Sequence, residues 1–258
     1  MDLAGKNVVY LGGFGGIGQK CVQELLRRQL KALAVFDLTE NAEALAEWRT
    51  GTPGTDIFYQ QVDITKKEDI EAAYNATAER LGHFDVVVNG SGLMNDRLVE
   101  LTIQINLLGV IQSTLTALEY MDKSKGGRGG LIVNISSVAG LQPTALMAIY
   151  SAAKTGTTSF TRSMANPIYF AHSGVSFVTI CPGFTETPLL DDISSKTTFT
   201  YHTPMLDMFN RVRRQKPEDC ARNLVQAMEQ AKNGAVLMLE LGETQEIDIP
   251  DFWKPQIE

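Results

Sequence analysis

The stretch Asn7-Val8-Val9-Tyr10-Leu11-Gly12-Gly13-Phe14-Gly15-Gly16-Ile17-Gly18 decides how this chain is to be read. Its first five residues form a short run rich in β-branched and aromatic side chains, of strand length. Glycines follow at once, with Gly12, Gly16 and Gly18 spaced G-x-x-x-G-x-G. Glycine permits a tight turn and lets backbone N–H groups approach a diphosphate. The N-terminus of the helix that follows adds partial positive charge. Taken alone, the same composition also suits an ordinary strand-to-helix turn, so the surroundings must decide.

Those surroundings alternate. Apolar runs recur at residues 32–36, 57–62, 84–88, 131–135, 175–181 and 235–239. Helical patterns lie between them, at 19–29, 41–49, 66–81, 98–121, 148–170 and 217–231. Near-continuous apolar strands separated by helices mean a mainly parallel sheet covered on both faces. The expectation is an α/β, doubly wound, Rossmann-type fold with seven strands, formed by residues 1–258 as one unit. Residues 185–216 are the least regular part, with two prolines, Ser/Thr clusters and mixed charge. A stretch that long inside a compact fold is more often functional than idle. Residues 188–216 are accordingly expected to form a substrate-binding lid.

Composition narrows the function. A net charge of −7 provides no basic footprint for nucleic acid or an anionic membrane. Cys21, Cys181 and Cys220 are far apart and odd in number, and no CxxC or His/Cys cluster accompanies them. Neither a disulfide framework nor a metal site is expected. The N-terminus lacks the layout of a signal peptide, and its apolar run is too short to span a bilayer. The reading is a cytoplasmic protein without membrane insertion.

Four positions carry the chemistry. Asp37 ends the second apolar run, about twenty residues past the glycine turn, where a carboxylate accepts from an adenosine ribose diol. No Arg or Lys lies in the turn or directly after Asp37 to neutralise a 2′-phosphate, which favours NAD. Small residues in Asn89-Gly90-Ser91-Gly92 leave room above the fourth run. Tyr150-Ser151-Ala152-Ala153-Lys154 places Lys154 one helical turn from Tyr150. An ammonium and an oxidised nicotinamide both lower a phenol's pKa from about 10 towards the range a base needs. Tyr-x-x-x-Lys by itself is common in helices. Asn134-Ile135-Ser136-Ser137 ends the fifth run at the same sheet edge.

Together these elements resemble the short-chain dehydrogenase/reductase superfamily. The glycine turn, Asn106-x-x-Gly109, Ser137 thirteen residues before Tyr150, Tyr150-x-x-x-Lys154 and Pro182-Gly183-Phe184-Thr185-Glu186-Thr187 occur in its order over essentially the whole chain. GKNVVYLGGFGGIG, MDKSKGGRGGLIVNISSV, ICPGFTETPL and NGAVLMLELGETQEI resemble the insect-type alcohol dehydrogenases of flies. The chain is also similar to hydroxyprostaglandin dehydrogenases. The resemblance implies an NAD-dependent oxidoreductase that interconverts an alcohol with its ketone or aldehyde, and the methionine and aromatic residues of 188–216 lead us to expect a secondary or longer aliphatic alcohol. It implies a homodimer and no metal. Ser137 would orient the substrate oxygen and Tyr150 would accept its proton. Lys154 would hold the nicotinamide ribose, and Asn106 would support a proton-relay water. Asp63 and Ile64 would lie at the adenine. Gly12, Gly16, Ile17, Gly18, Asn89 and Gly90 would line the cofactor, with Pro182, Gly183, Phe184 and Thr187 at the nicotinamide. Leu11 departs from the threonine many members carry before the first glycine, and Asn89–Gly92 departs from NNAG.

A rival of another class is a non-catalytic cofactor- or lipid-binding protein on this scaffold. The intact set Asn106, Ser137, Tyr150 and Lys154 argues against it. The natural substrate stays open. So does the role of Met205, Met208 and Phe209, whose helical spacing suits either lid packing or an apolar pocket.

Overall fold

In a computed structural model, residues 1–250 and 253 are described. The last part of the expected 1–258 unit therefore lies outside the described residues. Strand β1 (Asn7–Leu11) runs into helix α1 (Gly16–Leu26), followed by β2 (Ala32–Asp37), α2 (Ala42–Gly51), β3 (Asp56–Gln61), α3 (Lys67–Leu81) and β4 (Val86–Asn89). The second half holds α4 (Val99–Ile103), α5 (Gly109–Met121), β5 (Gly130–Ile135), α6 (Ala148–Met164), α7 (Pro167–Ser173) and β6 (Val175–Pro182). It ends with α8 (Ile193–Lys196), α9 (Thr203–Arg211), α10 (Pro217–Gln230), β7 (Val236–Glu240) and β8 (Glu243–Glu246).

The sheet order is β3-β2-β1-β4-β5-β6-β7-β8. Strands one to seven are parallel, and β8 returns antiparallel along β7. Among the described residues the expected seven strands thus become eight. All four residues of β8 are exposed polar groups, so no apolar alternation marked it.

Both faces of the sheet are buried, and β1 shows how. Val8 and Tyr10 pack in a core with Leu25 and Leu224, under α1 and α10. Val9 and Leu11 pack in a second core with Ile70, Tyr74 and Ala117, under α3 and α5. Alternate side chains of a strand point to opposite faces, so a strand covered on both sides must be apolar throughout.

Two helices differ from expectation at their middles. Residues 98–121 are helical, but Gln104–Leu108 between α4 and α5 widens into a π-turn containing Asn106. The stretch Val99–Met121 is long and apolar enough to cross a membrane by length and composition alone. Here it packs on the sheet, burying Val110, Ala117 and Met121. Residues 148–170 divide at Asn166, whose side chain caps α7 by accepting from Ile168 N at 2.9 Å. Pro167 then occupies the first helical turn, where its missing N–H costs nothing.

Strand order reverses between β1 and β4, which lie side by side with their connections diverging. Such a switch point leaves a crevice above the C-terminal strand ends. Every element of the candidate site sits there.

Candidate active site

The glycine turn forms one wall of the crevice. Gly12 has φ +78°, a conformation that strongly favours glycine, and donates its N–H to Phe36 O at 2.7 Å. A methyl on Gly12 would stand 2.7 Å from Ser91 N, one on Gly16 would stand 2.7 Å from Thr187 Cβ, and one on Gly18 would overlap the Gly12 carbonyl. The α1 N-terminus, at Gly15, has no side-chain cap and no acidic residue in its first turn. Its N–H groups are available to an anion.

Asp37 stands beside that turn. Its Oδ2 accepts from Phe14 N at 2.9 Å and its Oδ1 from Leu38 N at 2.8 Å. Burial pushes its carboxyl above the ordinary range, and these backbone donors oppose the shift. Phe14 stacks on Trp48 with ring centres 5.5 Å apart, so the surround of Asp37 is aromatic rather than basic. Asp63 accepts from both Thr65 N and Thr65 Oγ1, which hold its carboxyl below the ordinary range with help from Lys66. Ile64 is buried and packs against Gly109, where an added methyl would stand 2.6 Å from Ile64 Cγ1.

Asn89 behaves differently from its neighbours. Its amide donates to Asn134 Oδ1 at 2.7 Å and to Thr114 Oγ1 at 3.1 Å, and its carbonyl accepts from Ser113 Oγ at 2.6 Å. That side chain is used up under α5. Gly90 reaches the crevice, and a methyl there would stand 2.9 Å from Tyr10 Cε1.

The chemistry-bearing residues converge on the opposite wall. Two serines follow β5 and both border the cavity, but their hydroxyls are engaged differently. Ser136 Oγ donates to Lys154 O at 2.8 Å inside the body. Ser137 lines the cavity, and its Oγ accepts from Ala139 N at 3.1 Å. Tyr150 and Lys154 share a face of α6, with Nζ 5.8 Å from the ring centre. Burial pushes the Tyr150 phenol up to about 12, against a lowering effect of Ser137. Burial also lowers Lys154 to about 8. Its Nζ donates to Ile135 O at 2.9 Å, leaving donors for another acceptor. Asn106 is buried, its amide donating to Leu93 O at 2.6 Å and Thr102 O at 2.8 Å. It thereby holds the loop carrying Gly92, whose added methyl would lie 3.8 Å from Lys154 Nζ.

Pro182, Gly183 and Phe184 continue β6 along the crevice, and Thr187 meets Gly16 across it. The cavity enclosed by these groups is about 390 Å³, and its lining is chiefly apolar. Met205, Met208 and Phe209 of α9 border it, and Phe184 meets Phe209 edge-on at 4.9 Å. Met94 and Leu146 border it too, although neither belongs to a sequence motif. Met94 follows β4, a position on the crevice by topology alone. His202 sits at the start of α9, with its Nδ1 buried and unpaired.

The family described as short chain dehydrogenase matches residues 6–198. The chain is 43% identical over 255 residues to alcohol dehydrogenase 1 of Ceratitis capitata, covering 99% of each chain. It is 36% identical over 253 residues to fat body protein 2 of Drosophila melanogaster, covering 98% of this chain and 99% of that protein. Among solved structures, levodione reductase superposes with a TM-score of 0.79 at 22% identity, over 93% of this chain and 98% of that one, which is a likeness of fold. The chain belongs to the short-chain dehydrogenase family of oxidoreductases.

Proposed function

We propose that the chain is an NAD-dependent alcohol dehydrogenase for apolar alcohols, secondary or longer aliphatic, with Tyr150 as its acid/base. The observation that carries the reading is that Ser137, Tyr150 and Lys154 line one chiefly apolar cavity together with Ile17 of the glycine turn.

The residues present fit a dinucleotide. The cradle at Gly12, Gly16 and Gly18 excludes even a methyl, and the uncapped α1 N-terminus faces it. Asp37, without a cation beside it, suits a ribose diol and repels a 2′-phosphate. Lys154 would use its remaining N–H groups to hold the second ribose, Asp63 and Ile64 would hold the adenine, and Thr187 would hold the nicotinamide side. NAD supplies the hydride acceptor for alcohol oxidation.

The protein's own part is to orient the alcohol and take its proton. Ser137 holds the hydroxyl against Tyr150 Oη. A phenol with a pKa near 12 is almost wholly protonated at neutral pH, and only its phenolate can act as the base. The Lys154 ammonium, with Nζ 5.8 Å from the ring centre, would lower that pKa towards the working range, and a bound oxidised nicotinamide would add to that effect. Asn106 fixes the Gly92 loop against Lys154 and so shapes the route by which the proton leaves. The apolar walls exclude water from the reacting carbon.

The cavity of about 390 Å³ is shared: Ile17, Gly90, Gly183 and Thr187 border the part a nicotinamide would take, and Met94, Leu146, Met205 and Met208 give the remainder its apolar lining. Methionine and aromatic side chains adapt to apolar ligands. Residues 188–216 act as the lid. The working form is a cytoplasmic homodimer without membrane insertion. Leu101, Leu108 and Leu115 are exposed along the helical stretch 99–121, and an apolar face needs a second surface to cover it.

The test is NAD reduction, followed optically, across a panel of primary and secondary alcohols of increasing chain length. Turnover rising with apolar length is expected, along with a dimeric mass by light scattering. Absence of turnover with the whole panel, with NAD still bound, favours the non-catalytic alternative.

A further inference from the structure

Asp96 lies outside every motif, on the loop between β4 and α4. It is 3% exposed, and among the described residues its carboxylate accepts from neutral donors alone. A buried carboxylate is costly unless donors surround it. Two of the donors belong to the first turn of α6: Ile149 N at 2.8 Å and Tyr150 N at 2.9 Å. The residue at the α6 N-cap, Met147, provides no side-chain bond of its own. Asp96 therefore caps α6 from more than fifty residues away, where the helix dipole also favours its charge.

The third donor comes from the covering segment. Thr198 Oγ1 donates to Asp96 Oδ2 at 2.6 Å and accepts from Ala148 N at 2.9 Å. Thr198 N reaches Leu146 O at 3.1 Å, and Asp96 N reaches Lys196 O at 2.8 Å. Residues 196–198 are thus bound on both sides to the loop after β4 and to the start of α6. The two parts of the segment that border the cavity, Leu189 with Leu190 and then Met205 with Met208, lie on either side of this fixed point.

We infer that Asp96 and Thr198 form a latch, holding the Tyr150-bearing turn and the covering segment as one unit. Asp96 is then a positioning residue for Tyr150, and Thr198 transmits that position to the apolar cover. Closure over substrate and alignment of the phenol are coupled through a single carboxylate. This inference rests on the reading of Tyr150 as the base.

Four variants test it: Thr198→Val, Thr198→Ser, Asp96→Asn and the double Asp96→Asn/Thr198→Val. They are assayed with NAD and an apolar secondary alcohol, and digested with trypsin. Thr198→Val should raise KM about fivefold or more, by more than it lowers kcat, and speed cleavage within residues 188–216. Thr198→Ser keeps the hydroxyl and should return both readings to within about twofold of the parent. Asp96→Asn leaves one helix N–H without an acceptor and should lower kcat about tenfold or more. The double variant should fall short of the product of the two single effects, because the Asp96–Thr198 bond can be lost only once. Thr198→Val with parental KM and cleavage overturns the latch. So does Thr198→Ser as impaired as Thr198→Val, or effects that multiply in the double variant. If Asp96→Asn does not fold, the Thr198 pair decides alone. Near-parental turnover of Tyr150→Phe would instead sink the base assignment, separating the two failures.

Discussion

The two walls of the crevice are built on opposite principles. On the cofactor side, the glycine turn is a matter of backbone. Gly12, Gly16 and Gly18 have no room for a methyl, and what they offer a ligand is N–H groups at fixed positions. On the substrate side, Met94, Leu146, Met205 and Met208 present flexible side chains to the cavity. The first wall tolerates almost no change of residue and demands one ligand shape. The second tolerates substitution and admits many ligands. One fold can therefore keep its cofactor while its substrates vary.

This contrast predicts unequal effects of substitution. Gly18→Ala should be the most damaging, because its methyl overlaps the Gly12 carbonyl. NAD binding by calorimetry should be lost, and stability should fall by about 1–3 kcal/mol as the turn shifts. Unchanged NAD affinity would show that the turn is not the cradle.

Asp37→Ala comes next. The parent should prefer NAD over NADP by at least about tenfold, or roughly 1.4 kcal/mol, and the variant should narrow that ratio. Equal use of both cofactors by the parent would remove Asp37 from its assigned role.

Lys154 offers a test from stability. Burial lowers its folded pKa to about 8 from 10.5, so between those values the unfolded chain binds more protons than the folded one. Stability contributed through this group therefore rises with pH across that window. Below pH 8 the buried ammonium costs the cofactor-free protein up to about 3 kcal/mol. Lys154→Met should lose turnover, yet its stability relative to the parent should decline as pH rises from 8 to about 10.5. Parallel pH–stability curves for the two proteins would contradict the burial account.

The smallest effect belongs to the flexible wall. Met208→Ala should shift KM among alcohols of different length by only about two- to fivefold and leave NAD affinity alone. A large change in NAD affinity would erase the distinction between the walls.

The same contrast explains what could be read from sequence. Residues whose roles depend on local spacing were legible: the glycine turn, and Tyr150 with Lys154 on one helix face. The strand-by-strand alternation was enough for the parallel sheet, and only the exposed, polar β8 escaped it. Features that depend on distant parts meeting were not legible. Asp96 acts on a turn more than fifty residues later, and nothing in its neighbourhood marks it. Met94 and Leu146 reach the cavity only because β4 and β5 are adjacent in the sheet. Asn89 sits within a recognisable segment, but strand alternation directs its side chain to Asn134 and Thr114 rather than to the crevice. The break before α7 had its signal in Asn166-Pro167, a cap followed by a first-turn proline.

The central claim is that Tyr150 moves the proton while the rest of the cleft holds cofactor and alcohol. Turnover and NAD binding of Tyr150→Phe, measured on the same preparation, test it most directly. The phenol is removed and the ring retained, so packing around residue 150 should survive. The account predicts turnover below detection with NAD affinity within about threefold of the parent. Turnover within about tenfold of the parent would contradict it and require another base.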